Sequence, residues 1–308
     1  MSHHFHKKNK TMNLFINWNP DLVALQLGPV SFRWYSICWL IGLMGAYMCV
    51  RRLYIQQKYG EEKFEPLFLY CFCGIIIGAR LGHCIFYQPD YFLASAKGVF
   101  EMFIPVRLLG DGIIDSFSTG QWKFTGYEGL ASHGGSIGVL LAIWMYCRHM
   151  GMKLLSVFDM VAIATPITAT FIRLGNLMNS EIIGKPTDLP WAFIFERVDM
   201  QPRHPGQLYE AVFYAFTFLI LWTIYSRNDR LAITAKKEGR KHFIGSGLYF
   251  GILLFAIFTF RFFIEYTKEE QVDFENGMLF NMGQLLSVPF ILAGAFFILR
   301  GLRNKQQH

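Results

Sequence analysis

Charge is scarce in this sequence. Only 17% of the 308 residues are charged, against 53% hydrophobic, and mean hydropathy is positive at +0.30. That excludes an ordinary soluble chain, which at this length would form one or two domains. Cysteine is sparse too. The six, Cys38, Cys49, Cys71, Cys73, Cys84 and Cys147, all lie in apolar runs and none has zinc-ligand spacing. Cys71 and Cys73 would point to different faces of a helix. A disulfide framework is therefore excluded, and the cysteines read as small packing residues. No strand-like alternation, internal repeat or low-complexity linker is visible, so the chain reads as one domain over 1–308. No small-residue cleavage site follows the first apolar run, so the polar stretch Met1–Asn19 is not read as part of a removed signal peptide. Acidic residues number 22 against 29 Lys and Arg, for a net charge of +7. In a soluble protein that excess suggests nucleic acid. In a membrane protein the positive-inside rule suffices, and no nucleic-acid partner is expected.

What is abundant is long apolar runs. There are seven, at about Phe32–Val50, Pro66–Tyr87, Ala131–Cys147, Ser156–Met178, Gln207–Tyr225, Ile244–Tyr266 and Met278–Leu299. Each is long enough, or nearly so, to span a bilayer. The aromatic load, 31 Phe, 14 Tyr and 7 Trp, suits belts at a membrane interface. The expected fold is an all-α polytopic membrane protein with seven transmembrane helices.

Loop charge sets its orientation. Arg51, Arg52, Lys58 and Lys63 follow the first run, and Arg148 and Lys153 the third. Arg227, Arg230, Lys236, Lys237, Arg240 and Lys241 follow the fifth, and Arg300, Arg303 and Lys305 the seventh. These loops fall on one side, which should be cytoplasmic. The sixth-to-seventh loop, opposite, is acidic: Glu269, Glu270, Asp273 and Glu275. The N-terminus is then outside and the C-terminus cytoplasmic, although Lys7, Lys8 and Lys10 argue mildly the other way. Two external segments, 88–130 and 179–206, exceed ordinary loop length and carry many aromatics. They are expected to fold as periplasmic-side arm or head segments on the outer membrane surface.

In this orientation the polar residues of the helices gather at one depth. Arg33 and Tyr35 open the first helix, Arg80 lies late in the second, and His133 opens the third. Arg173 and Asn176 close the fourth, and His204, Gln207, Tyr209 and Glu210 open the fifth. Arg261 and Glu265 close the sixth, while Gln284 and Ser287 lie in the outer part of the seventh. The inner halves read as almost purely apolar. An arginine in lipid costs roughly 2.5–3.5 kcal/mol at a helix centre. A single one can snorkel to the headgroups. Joined by His, Gln and Glu at one level, the arginines instead suggest a polar, lipid-shielded cavity open to the outer leaflet.

Individual motifs admit two readings. His133-Gly134-Gly135-Ser136-Ile137-Gly138 is either a helix start with glycines for close packing or an anion site of free N–H groups. His133 beside it has a pKa suited to proton transfer. Gly74, Gly78 and Gly82 recur every four residues as a packing face. Arg261 and Glu265 share a helix face as an ion pair. Gln207 and Glu210 also share one, and could hold the arginines' remaining donors.

Together these residues resemble the prolipoprotein diacylglyceryl transferase family. The matching pieces are Trp34-Tyr35, Gly78-Ala79-Arg80-Leu81-Gly82, Ser132-His133-Gly134-Gly135 with Gly138, and Arg173-Leu174-Gly175-Asn176 with Asn179, Glu181 and Gly184. Arg203-His204-Pro205, Gln207-Leu208-Tyr209-Glu210, Arg261 with Glu265, and Gly283-Gln284 with Ser287 and Pro289 continue the series in family order. The resemblance implies a bacterial plasma (inner) membrane enzyme, its active site towards the outer leaflet. It implies transfer of the sn-1,2-diacylglyceryl group from phosphatidylglycerol to the lipobox cysteine thiol of a preprolipoprotein. A thioether forms and glycerol phosphate leaves, in the first step of lipoprotein maturation. No metal or cofactor is implied. Four departures stand out: Lys268 where arginine is usual, Ile257 where a tyrosine is, Ser180 in place of a glycine, and a longer segment from Leu93 to Thr125.

On that resemblance the residues take roles. Arg173 and Arg261 hold the phosphate, which planar guanidinium forks bind bidentately. His133 is the base that makes the thiolate nucleophile, or positions it. Asn176 and Glu181 orient Arg173 and the headgroup glycerol. Tyr35, Arg80, Gly134, Gly135 and Gly184 belong to the phosphatidylglycerol site. Glu265, His204, Gln207 and Glu210 support it. The rival classes are a transporter, disfavoured because paired interrupted helices are missing, and a non-catalytic lipid-binding protein.

Overall fold

The computed structural model describes residues 15–28, 30–125, 129, 131–234, 242–268 and 280–303. The N-terminal lysines, the basic residues Lys236, Lys237, Arg240, Lys241 and Lys305, and the acidic residues Glu269, Glu270, Asp273 and Glu275 lie outside them. In chain order the elements are β1 Ile16–Trp18, β2 Val23–Leu27, β3 Val30–Arg33, α1 Trp34–Gln56, α2 Glu61–Phe86, α3 Pro89–Phe92 and α4 Ala96–Phe103. They continue with β4 Val106–Leu108, α5 Ile113–Ser118, β5 Trp122–Phe124, α6 Ser132–Met150, α7 Leu154–Asn179, β6 Phe193–Phe195 and β7 Pro202–Arg203. Last come α8 Gly206–Arg227, α9 Asp229–Thr234, α10 Leu248–Ile264, a 3₁₀ turn at Glu265–Thr267, and α11 Met282–Arg303.

Among the described residues six helical segments are long and apolar enough to cross a membrane: Trp34–Gln56, Glu61–Phe86, Leu154–Asn179, Gly206–Ile233, Leu248–Thr267 and Met282–Arg303. Their outward side chains are apolar, among them Met44, Leu69, Phe216 and Leu292. Such an inversion fits lipid as the solvent. The third predicted run does form a helix, α6, but it is not among the six. Its 19 residues open on Ser132 and His133 and close on Arg148 and His149, which leaves a shorter apolar centre.

The purely helical expectation needs correcting. Among the described residues seven short strands lie outside the helices, in one three-stranded and two two-stranded sheets. At two to five residues each they are too short for alternation to show in the sequence.

The chain divides into two compact units, one of Met1–Gln56 with Phe158–His308, the other of Gln57–Val157. In the second unit α2 packs on α6 through the predicted glycine face. A methyl at Gly78 would sit 2.7 Å from Gly138 Cα, and one at Gly82 would sit 2.7 Å from Gly134 Cα. Only glycine on both helices allows that approach. The arm after α2 folds on its own small core of Cys84, Phe92 and Met102. Buried Glu101 ties it together, accepting from the Leu108 N–H at 2.8 Å and the Tyr91 hydroxyl at 2.5 Å.

In the first unit β1 pairs in parallel with β6, which pairs antiparallel with β7. The segment 179–206 is thus folded, around Leu177, Phe193 and Phe195. α8 meets α10 through stacked Phe213 and Phe260, centroids 4.0 Å apart, and α10 meets α11 through Phe258 and Phe290 at 4.3 Å. The end of α7 farthest from Arg173 is not purely apolar, against expectation. Asp159 is fully buried there and accepts from the N–H groups of Gly245, Gly247 and Phe250 at 2.8, 2.9 and 3.0 Å. It caps the start of α10 from a neighbouring helix, satisfying donors that helix cannot.

Candidate active site

The site begins where α7 ends. The Ser180 N–H donates to Leu177 O at 3.1 Å and the Glu181 N–H to Asn176 O at 2.9 Å. This is the paired closure of a helix whose next residue is left-handed. Ser180 holds that place with φ of 56°. A glycine there would avoid the Cβ penalty, which accounts for the glycine expected at this position. The turn brings Glu181 back beside the helix. Its carboxylate accepts from Asn176 Nδ2 and Asn179 Nδ2, both at 3.0 Å. Asn176 Oδ1 in turn accepts from Arg173 Nη1 at 3.3 Å. Ile182 follows at φ of 57°, a strained conformation for a β-branched residue.

Arg173 is also held from α8. Its Nε lies 2.8 Å from Glu210 Oε2. No hydrogen bond from another group reaches that buried oxygen among the described residues. Glu210 Oε1 lies 3.2 Å from Lys268 Nζ, and the same Nζ lies 3.2 Å from Glu265 Oε1. Glu265 then reaches Arg261 Nε at 3.8 Å. An unbroken chain therefore runs Arg173–Glu210–Lys268–Glu265–Arg261. Its interior is dry and its ends are open: side-chain exposure is 1% at Glu210 and 7% at Lys268, but 20% at Arg173 and 46% at Arg261. Buried ions cost several kcal/mol each unless paired, which accounts for the alternation of sign. Two guanidinium groups thus keep exposed donors in a low-dielectric setting, able to bind an anion.

The flanking residues fall into place. Tyr35 packs against Gly175, where a methyl would meet its ring at 3.0 Å. It lies within electrostatic reach of Glu181 and Arg173. His204 Nδ1 is 3.3 Å from the Tyr209 hydroxyl, which accepts from Trp191 Nε1 at 2.9 Å. Burial lowers the His204 pKa, which favours the neutral imidazole. Gly184 is a point of close approach, since a methyl there would come within 2.6 Å of both His204 Cβ and Thr267 O. A side chain would pry apart the segments carrying Glu181, His204 and Lys268.

Other expected roles shift. Glu210 does hold an arginine, but Gln207 does not. Gln207 is fully buried and neither amide atom has a hydrogen-bond partner among the described residues. Gln284 and Ser287 serve structure. Asn281 Oδ1 accepts from the Gln284 N–H at 2.8 Å while Gln284 Oε1 accepts from the Asn281 N–H at 3.0 Å, a reciprocal cap on α11. Ser287 donates to Gly283 O at 2.6 Å.

Arg80, His133, Gly134 and Gly135 belong to the second unit. Arg80 is buried against the arm, donating to Glu101 O at 2.9 Å and Met102 O at 3.3 Å, with its guanidinium 4.9 Å from the Phe92 ring centre. A cavity of about 350 Å³ opens beside it, lined also by His83, Arg107 and Thr125. His133 is exposed in the first turn of α6. Gly134 makes the close contact with α2, and the Gly135 N–H is spent on Ala131 O at 3.0 Å. The free-donor reading of that stretch therefore loses Gly135.

Two residues went unassigned in the sequence. Lys268 stood out only as a departure from family pattern. Tyr214, one turn beyond Glu210, lies within electrostatic reach of Arg173, Glu210 and Arg261. Its spacing of four from Glu210 was the available signal. Among the described residues no three His, Cys, Asp or Glu side chains converge as a metal set.

Fold and site together define a multi-pass membrane protein with two arginines joined through buried carboxylates. The chain belongs to the prolipoprotein diacylglyceryl transferase family, which it matches over residues 22–300. A Bacteroides fragilis protein named phosphatidylglycerol–prolipoprotein diacylglyceryl transferase is 54% identical over 285 residues, covering 92% of this chain and 95% of that one. Proteins of the same name from Tolumonas auensis and Pseudomonas paraeruginosa are 40% and 33% identical, covering 94% and 89% of this chain and 98% and 91% of theirs.

Proposed function

We propose that this protein transfers the sn-1,2-diacylglyceryl group of phosphatidylglycerol to the lipobox cysteine thiol of preprolipoproteins, the first step of bacterial lipoprotein maturation. Family membership and the names of its relatives support the reaction. The observation that supports the residue roles is the ion-pair chain from Arg173 to Arg261.

The thiol loses its proton and the thiolate sulfur attacks the glycerol carbon bonded to the phosphate oxygen. The C–S bond forms as the C–O bond breaks, and the electron pair leaves on phosphate as glycerol phosphate. Arg173 and Arg261 take the charge that builds there, in a site where low dielectric strengthens each contact. Asn176 and Glu181 orient Arg173 and the headgroup glycerol. His133 is the proton acceptor, a role favoured by its residue type and its exposed place at the start of α6. Tyr35, Arg80, Gly134, Gly135 and Gly184 shape the lipid site, and Glu210, Glu265, His204 and Gln207 support it. The chain acts as one integral-membrane domain, 1–308, with α6 completing seven spanning helices. Loop charge favours an outer N-terminus, a cytoplasmic C-terminus, external segments 88–130 and 179–206, and an active site on the periplasmic side of the inner membrane.

The test supplies phosphatidylglycerol and a lipobox peptide and measures released glycerol phosphate. Wild type should release it with thioether formation. Arg173→Ala should lower turnover by at least about 10²–10³-fold, and Arg173→Lys should restore little, because lysine lacks the planar fork. Normal thioether formation by correctly inserted Arg173→Ala protein ends the assignment. Solute uptake into vesicles without peptide modification would favour a transporter instead.

A further inference from the structure

We infer that Lys268 is a positioning residue that neutralises Glu210 and Glu265 together, leaving Arg173 and Arg261 free to take an anionic phosphate. This rests on the reading that those arginines hold the phosphate of phosphatidylglycerol. Lys268 is 7% exposed, and its ammonium lies 3.2 Å from one oxygen of each carboxylate. Each carboxylate also touches one arginine. Glu181, the remaining acid nearby, is bonded to the amides of Asn176 and Asn179.

Charge balance decides what the lysine does. Arg173, Arg261 and Lys268 face Glu210 and Glu265, a net of one positive charge in the cluster. Without the lysine the cluster is neutral, and each carboxylate is left with an arginine as its sole cation. The guanidinium groups would close on the carboxylates, and phosphate would have to displace them. With the lysine present, the carboxylates are partly satisfied from the buried side and the arginine forks face outward. Backbone geometry fixes the lysine in place. Lys268 bridges to Gly184, and the Lys185 N–H donates to Thr267 O at 2.7 Å. The segment Gly184-Lys185 thus clamps the residue that serves both arginines.

The experiment measures kcat and KM for phosphatidylglycerol in micelles, with a lipobox peptide in excess. Lys268→Met should raise KM roughly tenfold, the effect of removing a unit charge about 12 Å from the phosphate in an effective dielectric of about 20. It should lower kcat as well, because charge on the phosphate grows as the leaving group departs. Lys268→Arg should stay within about threefold of wild type. The double variant Lys268→Met/Glu265→Gln restores the net positive charge and should recover much of the lost KM. A purely structural lysine would show no such recovery. A Lys268→Met enzyme with wild-type KM and kcat overturns the inference, and so does a folded double variant no better than the single one. Should Lys268→Met lack a melting transition, the double variant decides: it must fold and show a KM well under the tenfold rise expected of the single variant. Failure of wild type to release glycerol phosphate sinks the transferase reading itself. Turnover by wild type with an unaffected Lys268→Met sinks only the role of Lys268.

Discussion

Glu210 and Asp159 are both buried carboxylates of the same unit, yet they are satisfied in opposite ways. Asp159 accepts from three backbone N–H groups of one loop and helix start. Those donors are fixed by the fold and go no further. Glu210 is met by side-chain cations, one of which is an arginine with a fifth of its side chain exposed. Its charge is passed on through Lys268 and Glu265 to a second arginine that is nearly half exposed. A carboxylate closed by backbone is a cap. A carboxylate closed by cations that reach solvent is the floor of an anion site.

Breaking the second arrangement should have the larger effect on chemistry. Glu210→Gln keeps the shape and removes the charge that anchors Arg173. Turnover should fall about a hundredfold, the scale seen when one preorganised electrostatic contact is lost. Some stability should go too, since Lys268 then sits buried with one carboxylate instead of two. The comparison breaks if Glu210→Gln turns over phosphatidylglycerol at the wild-type rate.

Asp159→Asn tests the other half. The amide keeps one acceptor oxygen but cannot serve three N–H donors. Leaving a buried donor unpaired costs about 1–3 kcal/mol. For a chain of this size the melting temperature should drop by roughly 5 °C. The protein that remains folded should keep kcat and KM within about twofold of wild type. A fully folded Asp159→Asn enzyme with lost turnover would make Asp159 functional, and the distinction between cap and anion site would fail.

The sequence exposes these two clusters unequally, for physical reasons. Arg173, Arg261, Glu210 and Glu265 are legible because charge at the end of an apolar run has few uses. The glycine face of α2 is legible because a spacing of four fixes one side of a helix, and Gly134 and Gly138 receive it. Asp159 is hidden, since a single acid inside an apolar run gives no hint that a loop some ninety residues later will donate to it. Lys268 is visible only as an odd residue, because bridging two carboxylates is a property of three chain segments together. The strands are too short to carry a period, and β1 pairs with β6 across most of the chain. Glycine is expected at position 180 from family pattern alone, but its reason, a left-handed helix cap, needs the backbone.

A third carboxylate sharpens the comparison with the smallest expected effect. Asp199 is paired with Arg203, four residues on, as Glu210 is paired with Arg173, but its own side chain is 31% exposed while the arginine is 9% exposed. The Arg203 guanidinium bonded to it holds its carboxyl below the usual carboxylate range. A folded pKa below the unfolded value of about 3.9 means that the stabilisation is present above about pH 4 and is lost as pH falls through the folded value. A carboxylate with a third of its side chain in solvent is partly screened, and Arg203 keeps a second acceptor in Gly184 O at 3.3 Å, so the pair contributes little. Asp199→Asn should therefore lower the melting temperature by no more than roughly 2 °C at neutral pH. The two melting curves should converge in strong acid, where wild-type Asp199 is protonated as well. Turnover should not change. A drop as large as that of Asp159→Asn, or a gap between the curves that persists below the folded pKa, would mean that pairing with arginine counts even in water. Burial of the carboxylate would then not be what separates Glu210 from a half-exposed ion pair.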